Sequence, residues 1–108
     1  MTVIEFYRRG GKICGVKAQG HSGFAQSNSD IVCAAVSVLL QTLELGLTDV
    51  LGLNVKTCVD RKNALMELHW DVSNKSPEAD VLSETIFRSL RETARSYGNY
   101  VKFVEVAL

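Results

Sequence analysis

With 108 residues the chain is sized for one domain around a single core, with no linker stretch to divide it. Twelve Lys plus Arg balance twelve Asp plus Glu, so the basic stripe of a dedicated nucleic-acid binder is missing and no direct nucleic-acid contact is expected. The amino terminus MTVIEFYRRGG lacks the layout of an export signal, and no apolar run is counted as reaching bilayer-spanning length, which predicts a cytoplasmic protein without membrane association.

Thr2 to Arg8 alternates as a strand, with Ile4 and Phe6 on one face and Val3, Glu5 and Tyr7 on the other. Gly10-Gly11 supplies a hairpin turn, and Lys12 to Gln19 returns as a second strand with Cys14, Val16 and Ala18 expected on one face. From Gly20 to Ser29 small and polar residues replace the apolar pattern, which reads as a mobile loop. Ser29 or Asp30 then caps a helix from Ile31 to Leu45 that is apolar on nearly every side, and so is expected to be central and buried. Asp30, Cys33, Ser37 and Gln41 fall at helical spacing and share one face of it.

Gly46 to Gly52 is expected to end that helix. A second hairpin from Leu53 to Trp70 follows, with Asp60-Arg61-Lys62-Asn63 at its tip and with Cys58 and His69 on its polar sides. Ser76-Pro77-Glu78 combines a cap, a first-turn proline and an acid at the positive end of a helix dipole. Ala79, Leu82, Ile86, Leu90, Ala94 and Tyr97 repeat from there until Gly98, while Arg88, Arg91 and Arg95 read as a solvated face. Tyr100 to Val106 forms the last strand. The order ββαββαβ predicts an α/β (α+β) single domain, residues 1–108, with two helices packed on a largely antiparallel five-stranded sheet.

Three cysteines with no CxxC among them are expected to be free thiols, with Cys14 a packing residue. Zinc wants about four ligands at closed spacing, and these cysteines with His21 and His69 match no such pattern, so no metal site is expected.

The chemistry points to the loop and the helix start. Cys33 follows His21 by twelve positions and lies in the first turn of its helix, where the dipole favours thiolate and unpaired backbone amides offer donors to an oxyanion. A thiol with a pKa of about 8.5 is only a few per cent ionised at neutral pH, and a histidine beside it makes the nucleophile. Asp30 either orients His21 or caps the helix, two compatible roles. Ser37, one turn beyond Cys33, either bonds a neighbouring carbonyl or shapes the space beside the sulfur. Spacing alone leaves a packed cysteine and an exposed loop histidine as the ordinary alternative.

Gly20-His21-Ser22-Gly23-Phe24-Ala25 followed by Asp30-Ile31-Val32-Cys33-Ala34-Ala35-Val36-Ser37 resembles, position by position, the signature of the ribosomal-processing cysteine protease family, Prp, of bacteria such as Firmicutes. The resemblance spans essentially the whole chain. It implies a catalytic pair of Cys33 and His21, with Gly20, Asp30 and Ser37 as supporting positions, and no cofactor. It further implies a homodimer whose substrate is the N-terminal extension of the large-subunit ribosomal protein numbered twenty-seven. Family members commonly carry a glycine where this chain has Ser27-Asn28-Ser29, and Asn28 tolerates the left-handed turn that a glycine would make there. The expected function is thus a cysteine endopeptidase acting in ribosome biogenesis. The rival from another class is a noncatalytic dimeric module that assists ribosomal protein assembly, and a redox-sensing thiol ranks below both because no resolving cysteine is near in sequence.

Overall fold

The computed structural model describes residues 1–21, 30–73 and 76–108. Strands β1 (Thr2–Arg9) and β2 (Lys12–Gln19) precede helix α1 (Ile31–Leu45), and strands β3 (Val55–Asp60) and β4 (Leu65–Trp70) precede helix α2 (Pro77–Ser96) and strand β5 (Val101–Ala107). The five strands form one mixed sheet in the order β3-β4-β2-β1-β5. Hairpins make β1–β2 and β3–β4 antiparallel, as is β2–β4 between them, whereas β5 returns from α2 to lie parallel to β1, with Ile4 opposite Phe103. The ββαββαβ order and the largely antiparallel sheet match the sequence reading.

Alternation decides which face of the sheet is covered. Ile4 and Phe6 of β1, Val16 and Ala18 of β2 and Leu68 and Trp70 of β4 form one buried cluster with Val36, Leu40 and Leu43 of α1 and Ile86, Phe87 and Leu90 of α2. Phe87 stands edge-on to both Phe6 and Phe103, with ring centroids 5.1 and 5.0 Å apart. In β2 the expected single face is broken by a bulge, because Tyr7 pairs with Gly15 and Arg8 with Ile13. Ile13 therefore joins the core cluster, while Cys14 lies outside it, buried, with its thiol donating to the carbonyl of Tyr7 at 3.5 Å.

Helix α1 departs from expectation in two ways. It is not buried all round: Val32, Val36, Leu40 and Leu43 face inward, while Ile31, Val38 and Leu45 are more than half exposed. Nor does it stop at Gly46, whose backbone is helical; the chain continues through one π-helical turn, Gly46–Val50, closed by the bond from Leu51 N to Gly46 O. Gly46 serves close approach, since a Cβ there would sit 2.4 Å from the side-chain end of Leu82 on α2. The two pieces give 20 residues, Ile31–Val50, of mean hydropathy 1.8, so by length and composition a segment of spanning size exists after all; its inward residues are packed in the core.

Helix α2 is amphipathic as read, with its buried side extended by Phe87 and by Ser83, whose hydroxyl donates to the carbonyl of Ala79 at 2.8 Å. Arg91 is a correction to the solvated face: it is half-buried, with its guanidinium 5.4 Å over the Phe87 ring. Arg8 reaches from β1 to Glu84 of α2 and Glu105 of β5, and its guanidinium covers the same ring at 4.7 Å. Those two carboxylates hold Arg8 charged well above its ordinary range.

Candidate active site

A cleft of about 860 Å3 opens between α1 and the β3–β4 hairpin, with the ends of β1 and β2 at its base. That volume lies within the roughly 300–1,000 Å3 of ligand sites. Cys33, Ser37, Gln41 and Glu44 line one wall as a single stripe of α1, and Asp60, Arg61 and Leu65 line the facing wall. His21, just beyond the end of β2, borders the same cleft, so the structure brings the two candidate catalytic side chains to one cavity. Of the loop predicted from Gly20 to Ser29, residues 22–29, and with them its mobility and the turn at Asn28, lie outside the described residues.

Each supporting position has a local reason to be what it is. Gly20 takes φ +94, and a Cβ there would lie 2.6 Å from the carbonyl oxygen of Met1, so only glycine fits without displacing backbone. Its N–H donates to Ala64 O at 3.0 Å and its carbonyl accepts from the Thr2 hydroxyl at 3.1 Å, which fixes the residue preceding His21 at both ends. Asp30 is the cap of α1: it is buried, and one carboxylate oxygen accepts from the N–H groups of Val32 and Cys33, each at 3.0 Å. Ser37 is exposed and lines the cleft one turn beyond Cys33.

The cap corrects one expectation. The sequence offers unpaired first-turn amides to an oxyanion, whereas those of Val32 and Cys33 are given to the Asp30 carboxylate and that of Ala34 to the Asp30 carbonyl at 3.1 Å. The Asp30 carboxylate also places a negative group where the helix dipole is positive, which offsets the field that would favour a thiolate.

Two residues escape the sequence reading. Thr2 lines the cleft at the start of β1, buried, with its hydroxyl oxygen 3.9 Å from Cys33 Sγ. The available signal was a polar residue on the Ile4–Phe6 face of an alternating strand. Asp60, read only as a hairpin tip, stands in the far wall; hydrogen bonds from the Asn63 side chain and backbone and from the Lys62 backbone hold its carboxyl below the usual range. Cys58, exposed on β3, and His69, bonded to Glu67 at 2.7 Å, are not among the residues of this cleft. Among the described residues no three His, Cys, Asp or Glu side chains gather as metal ligands.

A small α+β domain with a half-buried cysteine at a helix start and a histidine across the same cleft has the layout of a thiol hydrolase. The chain belongs to the cysteine protease Prp family, whose model matches residues 1–102. Its fold is similar to that of the ribosomal processing protease Prp from S. aureus, solved with a covalently linked product peptide, at 20% identity and a TM-score of 0.88 over 97% of this chain and 99% of that one. The same S. aureus protease with a substrate peptide gives 19% and 0.84 over the same shares. SMU.848 from Streptococcus mutans gives 26% and 0.83 over 100% of this chain and 96% of that one. No curated protein matches the chain.

Proposed function

We propose that this protein is a cytoplasmic, homodimeric cysteine endopeptidase that removes the N-terminal extension of the bacterial large-subunit ribosomal protein numbered twenty-seven. The observation that carries the reading is the meeting of Cys33 and His21 on one cleft in a chain of the cysteine protease Prp family. In this reading His21 takes the Cys33 proton as Sγ attacks the scissile carbonyl, then gives it to the leaving amine as the C–N bond breaks. Water cleaves the thioester and restores the thiol. The stripe Cys33, Ser37, Gln41 supports an extended peptide laid along α1, and Gly20 and Asp30 support the two ends of the site. Ile31, Val38 and Leu45, exposed on the same helix, support a second copy as partner.

The test is mass spectrometry of the extended ribosomal protein before and after incubation with the chain. A new N-terminus is expected with the wild type and none with Cys33→Ala or His21→Ala, both folded; cleavage by the Cys33→Ala variant would end the reading. Sedimentation velocity measures the dimer.

The engaged Val32 and Cys33 amides favour one rival, a noncatalytic module that binds a ribosomal protein with Cys33 merely packed. Iodoacetamide separates the two, because exposed Cys58 serves as an ordinary thiol within the same molecule. A catalytic Cys33 alkylates faster than Cys58, and a packed one more slowly.

A further inference from the structure

Thr2 is a hydroxyl among hydrocarbons. It is 3% exposed on the core side of β1, and its backbone N–H donates to Tyr100 O at 2.9 Å, so strand pairing sets its place whatever its side chain does. Its hydroxyl donates to the carbonyl of Gly20 at 3.1 Å while its oxygen lies 3.9 Å from Cys33 Sγ. A single hydroxyl hydrogen thus stands between two acceptors: the carbonyl that leads into His21, and the sulfur.

A hydroxyl offers one donor and two lone pairs. While its hydrogen is on Gly20, only lone pairs face the sulfur, an arrangement that suits a thiol donating S–H to Thr2 and opposes a thiolate. Once the sulfur proton passes to His21, rotation about the Cβ–Oγ1 bond turns the hydrogen onto the anion in a charge-assisted bond, and the Gly20 carbonyl loses its donor. We infer that Thr2 is a positioning residue, a two-position hydroxyl that moves its donor bond from the Gly20 carbonyl to the Cys33 sulfur when the thiol ionises. The inference rests on Cys33 and His21 being the reacting pair. A threonine serving only to satisfy Gly20 leaves the thiolate without a donor from this side, so its removal would leave Cys33 titration unchanged or move it down.

Several titratable or charged groups surround this space: His21 at the near end, Glu44, Asp49, Asp60 and Arg61 along the cleft, and Asp30 buried beneath the Cys33 amide. None of them is substituted in a Thr2 variant, and Thr2→Ser, which keeps the hydroxyl and its bond to Gly20 while dropping the methyl, ties any shift in Cys33 titration to the hydroxyl. The experiment labels the full chain with iodoacetamide across a pH series and reads Cys33 and Cys58 separately by peptide mass spectrometry, in wild type, Thr2→Val and Thr2→Ser. For Thr2→Val the Cys33 midpoint is expected to rise by about half to one pH unit, a roughly three- to tenfold slower reaction at neutral pH. Thr2→Ser is expected to restore it, with Cys58 unmoved throughout. Thr2→Ala carries the same expectation should the valine variant melt early. An unchanged or lower midpoint without the hydroxyl, or a serine that fails to restore it, overturns the inference. The readout uses no substrate, so a chain that never cleaves the ribosomal protein fails the protease reading on a separate measurement.

Discussion

α1 and α2 rest on the same face of one sheet and begin alike, with Asp30 accepting from the amides of Val32 and Cys33 and Ser76 from that of Ala79. Beyond the cap they differ. α2 carries Glu78 and Asp80 in its first turn and Arg95 in its last, and it is tied to the sheet by Arg8–Glu84 and Lys12–Asp80. α1 has no acid in its first turn and no base in its last, and it leaves Ile31 and Val38 in solvent beside the stripe that lines the cleft. Charge and dipole agree along α2, as befits a scaffold. Along α1 the outward positions are left to hydrocarbon and to the cleft, the pattern of a surface meant to meet something.

The comparison breaks most visibly in the core. Phe87→Ala removes the ring against which Phe6, Phe103 and Arg8 pack, and is expected to cost about 3–5 kcal/mol in urea unfolding. If α2 is scaffold only, the labelling rate of Cys33 in the fraction still folded remains that of the wild type. A Cys33 rate that falls with stability would mean that α2 also shapes the site.

The two caps come next. Asp30→Ala and Ser76→Ala are each expected to cost about 1–2 kcal/mol, because each strips the acceptor from first-turn amides. Only the first should change the cleft. Asp30→Asn keeps an acceptor for Val32 and Cys33 while removing the charge, so stability close to the wild type with faster alkylation of Cys33 is expected. Equal alkylation in the aspartate and asparagine forms would show that the carboxylate charge does not restrain the sulfur.

Tyr7, on the sheet face away from the helices, titrates later than an ordinary tyrosine, chiefly because it is partly buried and then because its hydroxyl donates to Glu5 at 2.6 Å. An unfolded tyrosine ionises near 10.0, whereas Tyr7 in the fold holds its proton higher. Above that value the native state binds more protons than the unfolded one, so stability is whole below about pH 10 and falls as pH rises beyond it. Urea midpoints measured through alkaline pH are expected to drop less steeply for Tyr7→Phe, and parallel curves would remove Tyr7 as the cause.

Much of this layout was legible because alternation and caps are local signals. Ile4 with Phe6, the Gly10-Gly11 turn, Asp30 as a cap and Ser76-Pro77 as a helix start needed only neighbours within a few residues, and the cysteine and histidine were picked out from the same stretch of chain. Other features depended on pairing partners. The bulge that sends Ile13 inward and Cys14 aside exists only in the register of β2 against β1. The close approach of Leu82 to Gly46 is a contact between distant parts of the chain, and the half-exposure of α1 follows from its packing against the sheet on one side only. Thr2 belongs to the cleft because the antiparallel register of β1 and β2, with Val3 opposite Gln19, sets the start of β1 beside Gly20, and because parallel pairing with Val101 anchors that start from the other side.

The smallest effect expected separates the two ion pairs that hold α2. Lys12 and Asp80 are 46% and 35% exposed, so water screens them and long side chains lose freedom in pairing. A double-mutant cycle on that pair is expected to give under about 0.5 kcal/mol, fading with salt. Arg8 is 22% exposed, binds Glu84 through two nitrogens and lies over the Phe87 ring, so its cycle with Glu84 is expected to reach about 1 kcal/mol and resist salt better. Asp80 also sits in the first turn of α2, where its charge favours the helix whether or not Lys12 is present, so Asp80→Asn should cost slightly more than Lys12→Ala. Couplings near zero for both pairs would place the stabilisation of α2 in its apolar side alone.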